Sequence, residues 1–344
     1  MKTYKQSINV VFDSADDTIL YNGLCYYRKN LSDRITISRN TIVIYFERSK
    51  KSMPDELFNT QKSILRYYLQ KALCFYLAVK GSIPEVKEIT FTCNDKTISL
   101  EHKSYTCYWK NCHTGICLEP ESAKIIFESK EGKPFYIMMT HFLKAQLDNF
   151  SHDRFRSAWS SLNCLYTYID SLDNDITKYR SESKKLSTLS RIIAEVKMPE
   201  SEKRVTTLDK DDFWNSLDWY TFFSCYDDFN KVLSGRYTDS FLLSLFCGHK
   251  DVFCENIKSD EASWNTLQKK SEKHISISKD RLRFLICEYC YRLRNRSIHA
   301  ERAYPLFIIS EDIETKTEKI LTEIILLTIK DLFAIYSDKA RKNI

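Results

Sequence analysis

Residues 279–300 read KDRLRFLICEYCYRLRNRSIHA, and this stretch decides how the second half of the chain is expected to fold. Its apolar residues recur at intervals of three or four, which is the spacing along one side of an amphipathic helix. These apolar positions are Leu282, Leu285, Ile286, Tyr289 and Leu293. A loop that contains Pro305 follows, so we expect one long helix that ends near Ala300.

Helical periodicity also dominates the rest of the sequence from about residue 140 onward. The segments 154–172 and 176–196 carry apolar residues at helical spacing. Thr315 followed by Glu318 has the spacing of a capping box and predicts the start of a final helix. Between these helices lies an aromatic-rich segment, 213–246, which predicts shorter helices. Two polar stretches flank it, at 199–212 and 258–278. The C-terminal half is therefore predicted to be all-α.

The first 140 residues show a different pattern, with short apolar runs that predict β-strands. The runs that predict single strands are 8–12, 19–27 and 35–46. Two further pairs of runs predict hairpins, namely 86–93 with 97–100 and 123–127 with 135–139. A helix is expected from Asp55 to Gly81, where glycine suits a helix end. The sequence thus predicts an α+β domain over 1–140 and an all-α domain over 150–340.

The composition favours a folded protein with two domains. The chain has 344 residues, of which 43% are hydrophobic and 28% are charged. It has no run of about 18 apolar residues and no apolar signal core near Met1, so we expect a cytoplasmic protein without a membrane partner. The 12 Cys are then expected to be reduced thiols. A net charge of +6 is compatible with an RNA partner but does not identify one.

Arg294, Asn295 and His299, at the end of the 279–300 helix, are the residue types that RNA cleavage needs. RNA supplies its own nucleophile, the 2′-hydroxyl, so catalysis needs a proton acceptor and a group that stabilises charge on the phosphate. We predict His299 as general acid and base, because histidine titrates near cellular pH. Arg294 is predicted to stabilise the pentacoordinate transition state through its planar guanidinium. Asn295 lies one helical turn before His299 and is predicted to orient its imidazole.

The Arg-Asn-x3-His pattern at 294–299 resembles the motif of the HEPN superfamily of ribonucleases. The segment 155–166, which reads FRSAWSSLNCLY, is similar to the opening helix of abortive-infection and Apea-like HEPN domains. The resemblance covers about residues 150–340, with 210–257 as an inserted helical segment relative to a minimal four-helix HEPN unit. It implies a metal-independent endoribonuclease without a cofactor, acting as a toxin or an antiviral defence effector. Residues 1–140 would then have a sensor or regulatory role.

The HEPN interpretation also predicts a homodimer joined through the C-terminal domains. Arg294 and His299 are five residues apart, which separates them by about 140° around an ideal helix. One copy of the motif therefore does not bring both side chains to one phosphate, whereas a twofold interface would place two copies around one cleft. Arg292 and Arg296 are predicted to bind the RNA backbone in that cleft.

Other interpretations of the same residues remain open. In one of them, Arg292, Arg294 and Arg296 form a solvated helix face and have no catalytic role. His299 would then only stabilise the C-terminal end of the helix, as a capping residue or through the helix dipole. An inactive HEPN domain would bind RNA or a nucleotide, or act as a scaffold for a partner. A zinc site is the less favoured interpretation of one group that lacks paired Cys-x2-Cys spacing, namely Cys93, His102, Cys107, Cys112, His113 and Cys117.

Overall fold

The chain folds into two compact units in the computed structural model. The structure describes residues 3–28, 31–52, 63–100, 112–128, 132–173, 181–208, 212–224, 236–253, 258–298 and 313–342. Unit 1 consists of Met1–Asn149, Ser160–Leu165 and Leu332–Ile344, and unit 2 consists of Phe150–Trp159 and Tyr166–Asp331. The first part of the chain is α+β and the second part is mostly helical, as the sequence predicts.

Unit 1 contains a six-stranded antiparallel sheet. Its strands are β1 (Tyr4–Phe12), β2 (Ile19–Arg28), β3 (Leu31–Ser38), β4 (Thr41–Arg48), β5 (Val86–Cys93) and β6 (Lys96–Leu100). They are hydrogen-bonded in the order β2-β3-β4-β1-β5-β6. The β5–β6 hairpin is confirmed, since Asn94 and Asp95 have φ angles of 44° and 69° and form the tight turn between the strands. The run 35–46 is two strands rather than one, because Ser38 donates to the Asn40 Oδ1 in a turn at 2.7 Å.

The helices of unit 1 correct two further predictions. They are α1 (Ile64–Lys80), α2 (Pro120–Ala123), α3 (Ile125–Glu128) and α4 (Gly132–Leu147). Helix α1 ends at Gly81 as predicted, but it begins after Ser63, whose hydroxyl accepts from the Arg66 N–H, and not at Asp55. The strand pair 123–127 and 135–139 is wrong, because both runs are helical. Phe135, Met138 and Phe142 are buried at helical spacing, which short apolar runs did not reveal.

Lys71 of α1 is an unusual core residue because its side chain is only 1% exposed. Its ammonium group donates to the backbone carbonyl of Tyr26 at 3.2 Å and forms no ion pair with any residue that the structure describes. Three aromatic rings surround it. The Lys71 Nζ lies 5.1, 5.8 and 6.0 Å from the ring centroids of Tyr67, Tyr136 and Phe127. Burial lowers the pKa of Lys71 from its ordinary value of 10.5.

We predict that Lys71→Met raises the free energy of unfolding, and that the gain is larger at pH 7 than at pH 10. At pH values between the lowered pKa of folded Lys71 and 10.5, the unfolded chain keeps a proton that the folded chain releases. The free-energy cost of burying Lys71 therefore decreases as the pH rises. Each unit of lowering corresponds to about 1.4 kcal/mol. Urea unfolding at both pH values measures the change. The exposed Lys87→Met is the control, and equal effects of the two substitutions would contradict a charge-related cost.

Unit 2 is built from helices. They are α5 (Ser151–Asp173), α6 (Glu182–Glu195), α7 (Pro199–Thr207), α8 (Trp219–Ser224), α9 (Ser240–Gly248), α10 (Glu261–Ser271), α11 (Ser278–Arg283), a π-helical segment (Phe284–Cys290), α12 (Tyr291–Ile298) and α13 (Ile313–Lys342). Helices α5 and α13 contribute residues to both units. The polar stretches 199–212 and 258–278 contain the helices α7 and α10. No described helix combines the length and the apolar character needed to cross a membrane.

The final helix does not begin with the predicted capping box. Helix α13 is already formed at Ile313, so Thr315 lies inside it. The Glu318 side chain is 4% exposed and accepts a hydrogen bond from the Ser151 hydroxyl at 3.1 Å. The carboxylate therefore joins α13 to the start of α5 within unit 2.

A fully buried ion pair joins the start of α9 to α11. The Arg281 Nε and Nη2 donate to the two carboxylate oxygens of Asp239 at 2.9 and 3.0 Å. The same carboxylate accepts from the backbone N–H groups of Leu242 at 2.8 Å and Ile277 at 2.6 Å. Four hydrogen bonds thus compensate the cost of burying this charge.

We predict that Arg281→Met destabilises the protein by about 3–5 kcal/mol, because it leaves the Asp239 carboxylate buried without its counter-charge. The free energy of unfolding in urea measures this loss. Arg191→Met is the control, since Arg191 pairs with Glu195 at 3.1 Å on an exposed surface and such pairs contribute about 1 kcal/mol or less. A loss below 1 kcal/mol for Arg281→Met would show that the pair is not a stabilising constraint.

Candidate functional site

The predicted helix over 279–300 is present as α11, the π-helical segment and α12, which together cover residues 278–298. The change to π-helical geometry between Phe284 and Cys290 is not visible in the sequence pattern. π-helical turns inside α-helices are rare and are frequent at functional sites. The segment stands directly before the arginine-rich helix α12, and all but one of its seven residues are buried.

Two of the three predicted catalytic residues lie side by side on α12. Arg294 and Asn295 are both half-buried, and the Arg294 Nη1 donates to the Asn295 Oδ1 at 2.8 Å. This bond restricts the guanidinium to one side of the helix. His299 and the side chain of Arg296 lie outside the described residues. The contact between Asn295 and His299 therefore stays a prediction.

The Arg294 charge acts on Tyr166, which belongs to a tyrosine–carboxylate pair that the sequence analysis missed. The hydroxyl of the buried Tyr166 on α5 donates to the Glu182 Oε1 at the start of α6. Burial and the Glu182 carboxylate raise the pKa of Tyr166, and the Arg294 charge acts in the opposite direction. Tyr166 therefore stays protonated as a donor to Glu182. An acidic residue in the first turn of a helix is common, so Glu182 has no distinguishing signal in the sequence.

Trp159 packs beside this group and links α5 to α12. Its ring centroid lies 6.4 Å from that of Tyr166 and 6.2 Å from that of Tyr291. The Trp159 Nε1 has no hydrogen-bond partner within the described part of the chain. Since Tyr291 precedes Arg294 by one turn, the Trp159 ring fixes the base of the helix that carries the motif.

Helix α8, which lies in the aromatic-rich segment, packs against the same helix through Phe222. The guanidinium carbon of Arg292 lies 5.3 Å from the centroid of the Phe222 ring. Phe222 belongs to α8, and its ring also lies 5.7 Å from the ring of Tyr289 in the π-helical segment. The segment that looked like an insertion thus contacts one of the two predicted substrate-binding arginines.

The arrangement suits binding of a phosphate group through Arg294. Guanidinium has five N–H donors, and the bond to Asn295 uses one of them. A planar cation that is held by an amide has a restricted orientation, which favours contact with two phosphate oxygens. The Arg294, Asn295, Tyr166 and Glu182 side chains are the candidate site.

The alternative zinc group is not assembled in the described residues. His102 and Cys107 lie outside them, so the full predicted set cannot be placed. Within the part of the chain that the structure describes, no three His, Cys, Asp or Glu side chains are grouped so that they could hold a metal ion. Cys112 and Cys117 are half-buried thiols near the end of α1.

No protein-family model, curated protein or solved structure matches the chain. The resemblance to HEPN ribonucleases is therefore carried by the segments 294–299 and 155–166. The fold connects these two segments, since Tyr166 of the second interacts with the charge of Arg294 in the first.

Proposed function

We propose that the C-terminal half is a HEPN-type helical domain that cleaves RNA without a metal ion. The observation that carries this proposal is Arg294, whose guanidinium donates to Asn295 and whose charge acts on the buried Tyr166. An arginine that lay on a solvated surface without a function would not need these interactions. The resemblance of the Arg-Asn-x3-His pattern to HEPN ribonucleases supplies the reaction class.

The chemistry follows from the residue types. His299 removes the proton from the 2′-hydroxyl, and the resulting alkoxide attacks the adjacent phosphorus. Arg294 stabilises the negative charge that develops on the phosphate oxygens. A protonated histidine then donates a proton to the leaving 5′-oxygen. The products are a 2′,3′-cyclic phosphate and a 5′-hydroxyl.

Glu182 has a positioning role in this proposal. The Tyr166 hydroxyl holds the Glu182 carboxylate in place, and the proposed role of that carboxylate is to attract the Arg294 guanidinium. The cytoplasmic role as a toxin or antiviral defence effector, with residues 1–140 as a sensor, rests on the family resemblance.

We predict that Arg294→Ala and His299→Ala each lose at least about 100-fold in cleavage rate while helical content is retained. Cleavage of a single-stranded RNA, followed on a gel, measures the loss, and circular dichroism checks the fold. Arg191→Ala is the matched control, because Arg191 is an exposed arginine that pairs with Glu195 on α6. Activity is expected to persist in EDTA, since the side chains supply the acid, the base and the positive charge.

Two results would contradict this mechanism. Complete loss of cleavage in EDTA with recovery on adding Mg²⁺ would assign the chemistry to a metal ion. Products that carry a 5′-phosphate would exclude attack by the 2′-hydroxyl.

We also predict that the active species is a homodimer with a composite site. The separation of about 140° between Arg294 and His299 favours contribution of the two groups from two chains. A mixture of the Arg294→Ala and His299→Ala proteins should then recover activity that neither shows alone, since about half of the dimers would be mixed. Light scattering gives the oligomeric state, and an active monomer would disprove the model. RNA binding should also weaken steeply with salt.

A further inference from the structure

Phe222 contacts the motif helix through a geometry that fixes Arg292. The Phe222 ring is 4% exposed and lies with its centroid 5.3 Å from the Arg292 guanidinium carbon. Attraction between a cation and the negative face of an aromatic ring acts at this distance. The contact joins α8 to α12, two elements that are 70 positions apart in the sequence, as counted from residue 222 to residue 292.

The Phe222 ring is itself held firmly by its neighbours. It packs against Phe284 at 5.3 Å and Tyr289 at 5.7 Å, both in the π-helical segment. The Asp218 N–H, just before α8, donates to the Tyr289 hydroxyl at 2.9 Å. Trp219 stacks on Phe284 with a centroid distance of 5.6 Å and an interplanar angle of 16°. Helix α8 therefore presents the Phe222 ring to Arg292 in a fixed orientation.

A fixed ring lowers the entropy that Arg292 loses when it binds a ligand. A free arginine side chain has roughly 2 kcal/mol of rotamer entropy, which binding must overcome. A guanidinium that lies over a ring directs its N–H donors sideways in its own plane, which is the geometry for two oxygens of a phosphodiester. The partner that fits this chemistry and the proposed reaction is the backbone of single-stranded RNA.

We propose that Phe222 is a positioning residue for substrate binding, whose ring holds Arg292 in the orientation that binds an RNA phosphodiester. This inference rests on the proposed ribonuclease function. It assigns helix α8 a role at the site, where Phe222 supports the substrate-binding side of the motif helix. Phe222 does not touch the reacting atoms, so it affects substrate affinity and not the chemical step.

The test compares Phe222→Leu with a matched control from the same aromatic cluster. Phe253→Leu is that control, because Phe253 packs against Phe223 and Trp264 instead of Arg292. Phe222→Leu should raise KM for a single-stranded RNA, and Kd in fluorescence anisotropy, by about 3- to 30-fold with kcat unchanged. Phe222→Tyr should restore both values, and Phe253→Leu should leave both unchanged. The double variant with Arg292→Ala should bind no more weakly than Arg292→Ala alone.

A fluorinated phenylalanine at position 222 serves if Phe222→Leu does not fold. Fluorine keeps the ring's shape but weakens its negative face, so KM should rise while the melting temperature is maintained. Unchanged KM with this residue, a fall in kcat in place of the rise in KM, or additive effects with Arg292→Ala would each overturn the inference. If the wild-type protein neither binds nor cleaves RNA, the proposed function fails as well. If the wild type cleaves and Arg292→Ala weakens binding, but Phe222 has no effect, only the inference fails.

Discussion

The carboxylate of Asp239 is completely buried, and the helical unit is arranged around the four hydrogen bonds that it accepts. It caps α9, fixes the backbone at Ile277 and pairs with Arg281, so the start of α11 cannot move independently of α9. Asp280 reinforces the junction by accepting from the Thr238 N–H at 2.6 Å. Because α11 continues through the π-helical segment into α12, the direction of the arginine-rich helix depends on this ion pair. The attraction between the two charges only offsets the free-energy cost of burying them. The pair therefore acts mainly as a constraint on geometry.

Aromatic packing adds the second constraint on the motif helix. Trp159 contacts α12 through Tyr291, while Trp219 and Phe222 contact the π-helical segment through Phe284. These rings are large and have few rotamers, so they hold the helix without a network of flexible polar side chains. The polar groups near Arg294 can therefore be few. The bond to Asn295 orients one guanidinium on a helix that is already fixed.

The sequence predicted the parts of this structure that depend on neighbouring residues. The Asn94–Asp95 turn and the end of α1 at Gly81 have local signals, and Arg294 and Asn295 are adjacent in the chain. Contacts between distant residues could not be predicted, among them Asp239 with Arg281 and Tyr166 with Glu182. The run 123–127 was assigned to a strand because four or five apolar residues fit a buried helix equally well. The α7 and α10 helices were missed because their sequences are mostly polar, and tertiary packing stabilises them.

The π-helical segment determines on which side of the helix the arginines lie relative to the apolar residues. Each residue in the wider π-helical turn advances less around the axis than in an α-helix, so every residue after Cys290 is rotated relative to the apolar residues before Phe284. The side of the protein on which Arg292 and Arg294 lie is thus set by tertiary packing around this segment. The predicted separation of about 140° between Arg294 and His299 uses α-helical geometry from residue 294 onward, and α12 is α-helical as far as Ile298. The π-helical segment ends before Arg294, so it does not alter the argument for a second copy at the site, whatever orientation it imposes on α12.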